Sequence, residues 1–136
     1  MDIEVGQVAE RELAVTADIV SAYAEITGDY NPLHFDEEFA AATRFKRLIA
    51  QGGIVTGLVH AFVAMDLPGP GSVFVRQAWK FRKPVYIGDT ISARGVVKAV
   101  RRGMYEMEFE VTNQDGDVVL EGDALLYQAG ASGERG

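Results

Sequence analysis

The chain of 136 residues contains no cysteine. That excludes a disulfide framework, a thiolate nucleophile and any thiolate-bound metal. Histidine is scarce as well, with only His34 and His60, and two imidazoles without cysteine give poor ligand spacing, so no metal is expected. Basic residues are in the minority: 13 Lys and Arg face 20 Asp and Glu, for a net charge of −7. That balance speaks against nucleic acid and anionic membranes as partners. It leaves room for an anionic small ligand, which needs only a local basic patch. Arg76, Lys80, Arg82 and Lys83 form one such patch, and Arg44, Lys46 and Arg47 form a second. The longest strongly apolar stretch, residues 52–67, is too short for a comfortable bilayer span and carries His60 and Asp66, which reads as a buried helix. The first residues, MDIEVGQVAERE, are acidic and lack an apolar core, so a signal peptide is not expected and a cytoplasmic location is. A nucleophilic serine motif, a phosphate-binding Gly-rich loop and a dinucleotide fingerprint are all missing.

What remains is ordinary globular composition, in a chain long enough for one core without staples. A single domain over residues 1–128 is expected, followed by a Gly/Ala/Ser-rich tail, residues 129–136, that frays. Short strand segments fall within residues 3–15. Thr16 then caps a helix over residues 17–27, whose apolar face is Ile19, Val20, Tyr23 and Ile26. Asp36 caps a second, short helix over 37–42 with acidic residues in its first turn. The apolar helix runs over 54–67, opened by Gln51-Gly52-Gly53 and stopped by Pro68-Gly69-Pro70-Gly71. Because it is apolar nearly all round, other structure must surround it. From residue 72 the period turns strand-like: 72–80, 90–100, 104–112 and 118–128, with Asp115-Gly116 in a hairpin turn over 113–117. The pattern predicts an α+β chain, a meander of four long strands forming a curved antiparallel sheet around one apolar helix.

The chemistry concentrates in Gly28-Asp29-Tyr30-Asn31-Pro32-Leu33-His34. Gly28 suits the left-handed residue that closes a helix. Pro32 excludes the α conformation at Asn31 and forces a turn. Asp29 and His34 flank that turn, where both can face one small polar target such as a water. A carboxylate beside an imidazole is suited to proton transfer near neutral pH. A plain Asx-type turn with an incidental histidine is the alternative that these residues leave open.

The run continues through Asp36, Phe39-Ala40 and Gln51-Gly52, and later through Pro68-Gly69, Gly71-Ser72, Pro84-Val85 and Gly88-Asp89. In these motifs the chain resembles the MaoC-like, (R)-specific enoyl-CoA hydratases, over nearly its whole length. The resemblance implies a hotdog fold, a homodimer with sheets joined edge to edge, and addition of water to a trans-2-enoyl-CoA to give the (R)-3-hydroxyacyl-CoA. It implies no cofactor, since coenzyme A belongs to the substrate. By position Asp29 matches the family's catalytic aspartate, His34 its histidine and Gly52 its oxyanion-hole residue. Such a hole is physically apt, because N–H groups in a helix's first turn lack intrahelical partners. Asn31 either shapes the turn or bonds within the site. Arg76, Lys80, Arg82 and Lys83 are candidate phosphate contacts for coenzyme A, against the alternative of a solvated strand face. The chain departs from the family at two points: many relatives carry His-Gly where it has Gln51-Gly52, and a larger residue where it has Gly53.

Rival readings are an acyl-CoA thioesterase on the same fold, with water directed to C1 in place of C3, and a non-catalytic acyl-binding module. A hydratase of acyl-carrier-protein substrates is a third, which the acidic surface disfavours. His60 is expected to be a core or interface histidine with a local partner. Trp79, Phe81 and Tyr86 are expected to pack in the core or on the sheet face.

Overall fold

Why the apolar stretch folds as it does is clearest in a computed structural model, which describes residues 2–130. Its central helix, α3 (Gly52–Met65), buries Ile54, Val55, Leu58, Val59, Phe62 and Val63, spaced as one helical stripe. Five antiparallel strands complete the core: β1 (Val8–Ala14), β2 (Ser72–Phe81), β3 (Thr90–Arg101), β4 (Met104–Thr112) and β5 (Val118–Gln128). The sheet order is β1-β3-β4-β5-β2. One helix against an antiparallel sheet is the α+β hotdog arrangement that the sequence predicts.

Local signals set most boundaries. The Thr16 hydroxyl accepts a hydrogen bond from the Ile19 N–H (3.2 Å) and caps α1 (Ala17–Thr27). Gly28, at φ 83°, closes it and donates to the Ala24 carbonyl. The Asp36 carboxylate accepts from the Phe39 N–H (3.0 Å) and starts α2 (Glu37–Ala41). Thr16 and Asp36 each satisfy with a side chain a helix-end N–H that has no intrahelical partner.

Four expectations need correction. The strands are not a simple meander. Only β3, β4 and β5 follow one another, while β2 pairs with β5 at the far edge. The connection 82–89 is too long for a tight hairpin and crosses the sheet end, tied to the chain on either side: the Ala50 N–H donates to the Val85 carbonyl and the Gly88 N–H to the Val15 carbonyl, both at 2.7 Å. The central helix begins at Gly52 and ends at Met65, two residues earlier at each end than its apolar pattern. It is also not fully enclosed, since Gly57, His60 and Met65 on one side of it are exposed. Finally, α1 runs a turn past the core, leaving Ile26 83% exposed. Of the expected tail, Ala129 donates to the Gly71 carbonyl (2.8 Å), and residues 131–136 lie outside the described residues.

Four residues form one row across the sheet: Gly95, Phe109, Gly122 and Trp79 are successive partners on β3, β4, β5 and β2. Phe109 meets Phe62 of α3 edge-on (5.7 Å) and Trp79 at 5.6 Å. The glycines leave room for these rings: a Cβ on Gly95 would lie 2.8 Å from Phe109 and 2.9 Å from Phe62. Overpacking of this kind costs about 1–3 kcal/mol. Gly95→Ala should therefore lower the unfolding free energy by about that amount, read from the urea midpoint at unchanged m-value.

Candidate active site

The Asp29–His34 segment is held by its own backbone chemistry. The Asp29 N–H donates to the Thr27 hydroxyl (3.2 Å), and one Asp29 carboxylate oxygen accepts from the Asn31 N–H (3.3 Å). The Asn31 carbonyl oxygen Oδ1 accepts from the Leu33 N–H (3.0 Å) and caps a single 3-10 turn, Pro32–His34. Asn31 thus shapes the turn, one of the two roles open for it. That turn drives the His34 ring inward, where its side chain is 8% exposed, while the Asp29 side chain stays 41% exposed.

His34 Nδ1 lies 2.7 Å from the Ile49 carbonyl oxygen. A carbonyl only accepts, so Nδ1 carries the hydrogen and Nε2 is left facing Asp29. Nε2 and Asp29 Oδ1 are 3.8 Å apart, beyond a direct hydrogen bond. With a neutral ring, two acceptors point at the same place. A water at about 2.8 Å from each satisfies both by donating its two hydrogens, and its lone pairs then point away from them. That is the orientation of a nucleophile with a base already in contact.

Nearby, Gln51 is the extended residue before α3, and Gly52 is its first helical residue. The Gly52 N–H has no hydrogen-bond partner among the described residues, and the helix dipole places partial positive charge there. Gly52 opens onto a groove of about 270 Å³ lined by Arg44, Phe81, Arg82, Lys83 and Val85. Phe81 borders Gly52 closely: a Cβ there would stand 3.1 Å from the ring. Asp29 and His34 do not line this groove.

The basic patch predicted from sequence divides. Arg76 and Lys80 lie on the outer face of the sheet, away from α3: Arg76 pairs with Asp123 (3.5 Å), and Lys80 stands opposite Glu121. The structure does not bring these two together with Asp29 and His34. The cause is a one-residue β-bulge between Phe74 and Arg76, which swaps the facing of everything after it. Without it Arg76 and Lys80 would share the inner face with Phe74. Arg82 and Lys83, past the strand end, do reach the groove; Arg82 pairs with Glu121 and Lys83 with Asp117 (3.5 Å). Arg44 joins them from the second basic patch, a residue whose charge was visible in the sequence but whose place beside Gly52 was not.

One further feature escaped the sequence. A Cβ on Gly53 would coincide with the Tyr23 hydroxyl, so Gly53 makes room for a tyrosine from α1. His60 finds local partners, as expected: it stacks on Phe74 (4.0 Å) and its Nε2 donates to Gln77 Oε1 (3.0 Å), which also accepts from the Trp79 indole (2.7 Å). Among the described residues, no group of three or more His, Asp or Glu side chains is placed to hold a metal ion. No helix among them is long and apolar enough to cross a membrane.

Comparison with known proteins identifies the family. The MaoC like domain family matches residues 2–118. A 3-hydroxybutyryl-CoA dehydratase from Methylorubrum extorquens is 40% identical over 92% of this chain and 80% of its own. An (R)-specific enoyl-CoA hydratase from Aeromonas caviae is 34% identical over 91% and 94%. A solved structure of an (R)-hydratase from A. caviae superposes with a TM-score of 0.88 at 34% identity, covering 93% of this chain and 97% of the other. By domain match, identity and superposition together, the chain belongs to the MaoC-like domain family.

Proposed function

We propose that the protein is an (R)-specific hydro-lyase that adds water to a trans-2-enoyl-CoA, giving the (R)-3-hydroxyacyl-CoA, and catalyses the reverse dehydration. One observation carries the reading: two proton acceptors, Asp29 Oδ1 and His34 Nε2, 3.8 Å apart, beside a helix whose first N–H is free. Asp29 takes a proton from the water as its oxygen bonds to C3 of the substrate. His34 orients the same water and helps return a proton to C2, so that H and OH together are one water. Negative charge builds on the thioester oxygen meanwhile, and the Gly52 N–H is the donor suited to it. The (R) outcome is supported by the similarity to the (R)-specific hydratase of A. caviae.

Arg44, Arg82 and Lys83 around the groove suit the phosphates of coenzyme A. The ion pairs of Arg82 and Lys83 are solvent-exposed, so exchanging their carboxylate partners for phosphate costs little. No cofactor is called for, because coenzyme A arrives with the substrate. An acyl-CoA substrate also fits a cytoplasmic location.

The working unit we propose is a homodimer. β2 is a ten-residue edge strand, and Val73, Val75 and Phe81 on it are 52%, 55% and 57% exposed. A long apolar edge invites a partner strand. β2 pairing with its copy would continue the sheet and face the open side of α3 toward the other protomer. It would also help shut Asp29 away from bulk water.

Incubation with crotonyl-CoA tests the activity: the enoyl absorbance should fall with no free thiol released. Released thiol would mean a thioesterase, and binding without turnover an acyl-binding module. Asp29→Asn should lower kcat by about 100-fold or more, with an unchanged melting temperature; wild-type turnover in that variant would refute the assignment. Gly52→Pro removes the proposed oxyanion donor at a position where proline is well tolerated in a helix, with the Phe81 ring, 3.1 Å from a Cβ there, having to give way slightly. It should keep the helix, by circular dichroism, and lose about 100- to 1,000-fold in kcat. Sedimentation should give twice the 14.8 kDa chain mass, and Val75→Glu should shift the protein toward monomer.

A further inference from the structure

Gln51 is 1% exposed, yet it does none of the work usual for its place. It is the N-cap residue of α3 and makes no side-chain capping bond. Its Nε2 instead donates to the Val20 carbonyl of α1 (3.1 Å) and reaches the Asp29 carbonyl at 3.5 Å. Its Oε1 is buried with no partner among the described residues. An unsatisfied buried acceptor is a standing cost to the fold. A methionine of similar length would fill the space without that cost, so packing alone does not account for an amide here.

Position does account for it. Gln51 directly precedes Gly52, the proposed donor to the thioester oxygen, and its side chain reaches back to Asp29, the proposed base. These two residues act on opposite ends of the reacting system. Water attacks C3 beside Asp29, while charge gathers on the thioester oxygen beside Gly52. The distance between them must match the enoyl thioester, and an error near 1 Å in such placement costs on the order of 100-fold in rate. The backbone ties the two regions at Leu33, whose carbonyl accepts from the Ile49 N–H (3.1 Å), and the Gln51 side chain adds the tie to Asp29 itself.

We propose that Gln51 is a positioning residue for this reaction, a side-chain brace that sets the carboxylate of Asp29 at the working distance from the Gly52 N–H. The inference rests on the hydratase reading. Gln51 touches neither water nor substrate. It acts by tying α1, the Asp29 turn and the start of α3 to one amide. The long 3.5 Å contact to Asp29 is the adjustable element of the brace, as bonds at a site before substrate arrives often are.

The test is kcat, KM and melting temperature for wild type, Gln51→Met and Gln51→His with crotonyl-CoA. Gln51→Met removes both the amide donor and the orphan acceptor. It should melt at or above the wild-type temperature while kcat falls at least about tenfold and KM stays within about twofold. Gln51→His restores an N–H donor and should recover most of the lost kcat. If Gln51→Met keeps wild-type kcat, or if it melts lower or fails to fold, Gln51 is a structural residue and the proposal is overturned. So it is if Gln51→His folds but recovers nothing. An inactive wild-type protein would be a different failure, that of the hydratase reading itself.

Discussion

The hydrogen bond from His34 Nδ1 to the Ile49 carbonyl decides what this site can be. It buries the imidazole, fixes its tautomer and turns its lone pair toward Asp29. The bond exists because the chain returns to the Asp29–His34 turn just before α3 begins: the Ile49 N–H donates to the Leu33 carbonyl (3.1 Å), and Ile49 bridges to Tyr86. Break that return and the ring swings free, the two acceptors no longer converge, and the turn becomes an ordinary surface loop. The core depends on the same return, since it delivers Gln51 and Gly52 to the point where the helix enters the sheet.

Much of this was legible because it is local. Thr16, Gly28 and Asp36 act on backbone groups within four residues of themselves, so sequence alone marks them. Asp29 and His34 are close in the chain, and Pro32 removes most alternatives to a turn, so their convergence could be foreseen. The alternation of Tyr105, Met107, Phe109 and Val111 also fixed the buried face of β4.

What escaped was set by distant partners. Gln51 reaches Val20 and Asp29 across 31 and 22 residues, and nothing in its neighbours announces that reach. The facing of Arg76 and Lys80 turns on one bulge. A strand pattern carries parity only, and a single inserted residue reverses it for the rest of the strand. The order of β2 in the sheet was likewise hidden, because the connection 82–89 gives no sign of which edge it will cross to. Gly53, where many relatives carry a larger residue, proved to border occupied space, with the Tyr23 hydroxyl standing where a side chain would be.

The paired glycines of the aromatic row have a consequence for strand pairing itself. Alternation forbids a slip by one residue, since every apolar side chain would change faces, but it is blind to a slip by two. Such a slip of β2 against β5 would leave the buried residues buried and bring Leu120 or Ala124 beside Trp79 in place of Gly122, and one of β3 against β4 would bring Ala93 or Val97 beside Phe109 in place of Gly95. No side chain fits there: a Cβ on Gly122 would already stand 2.6 Å from the Trp79 ring. Two residues without side chains thereby exclude the one misalignment that hydrophobicity tolerates. In doing so they fix how far along β5 the edge strand sits, and so where Phe81 comes to rest against Gly52.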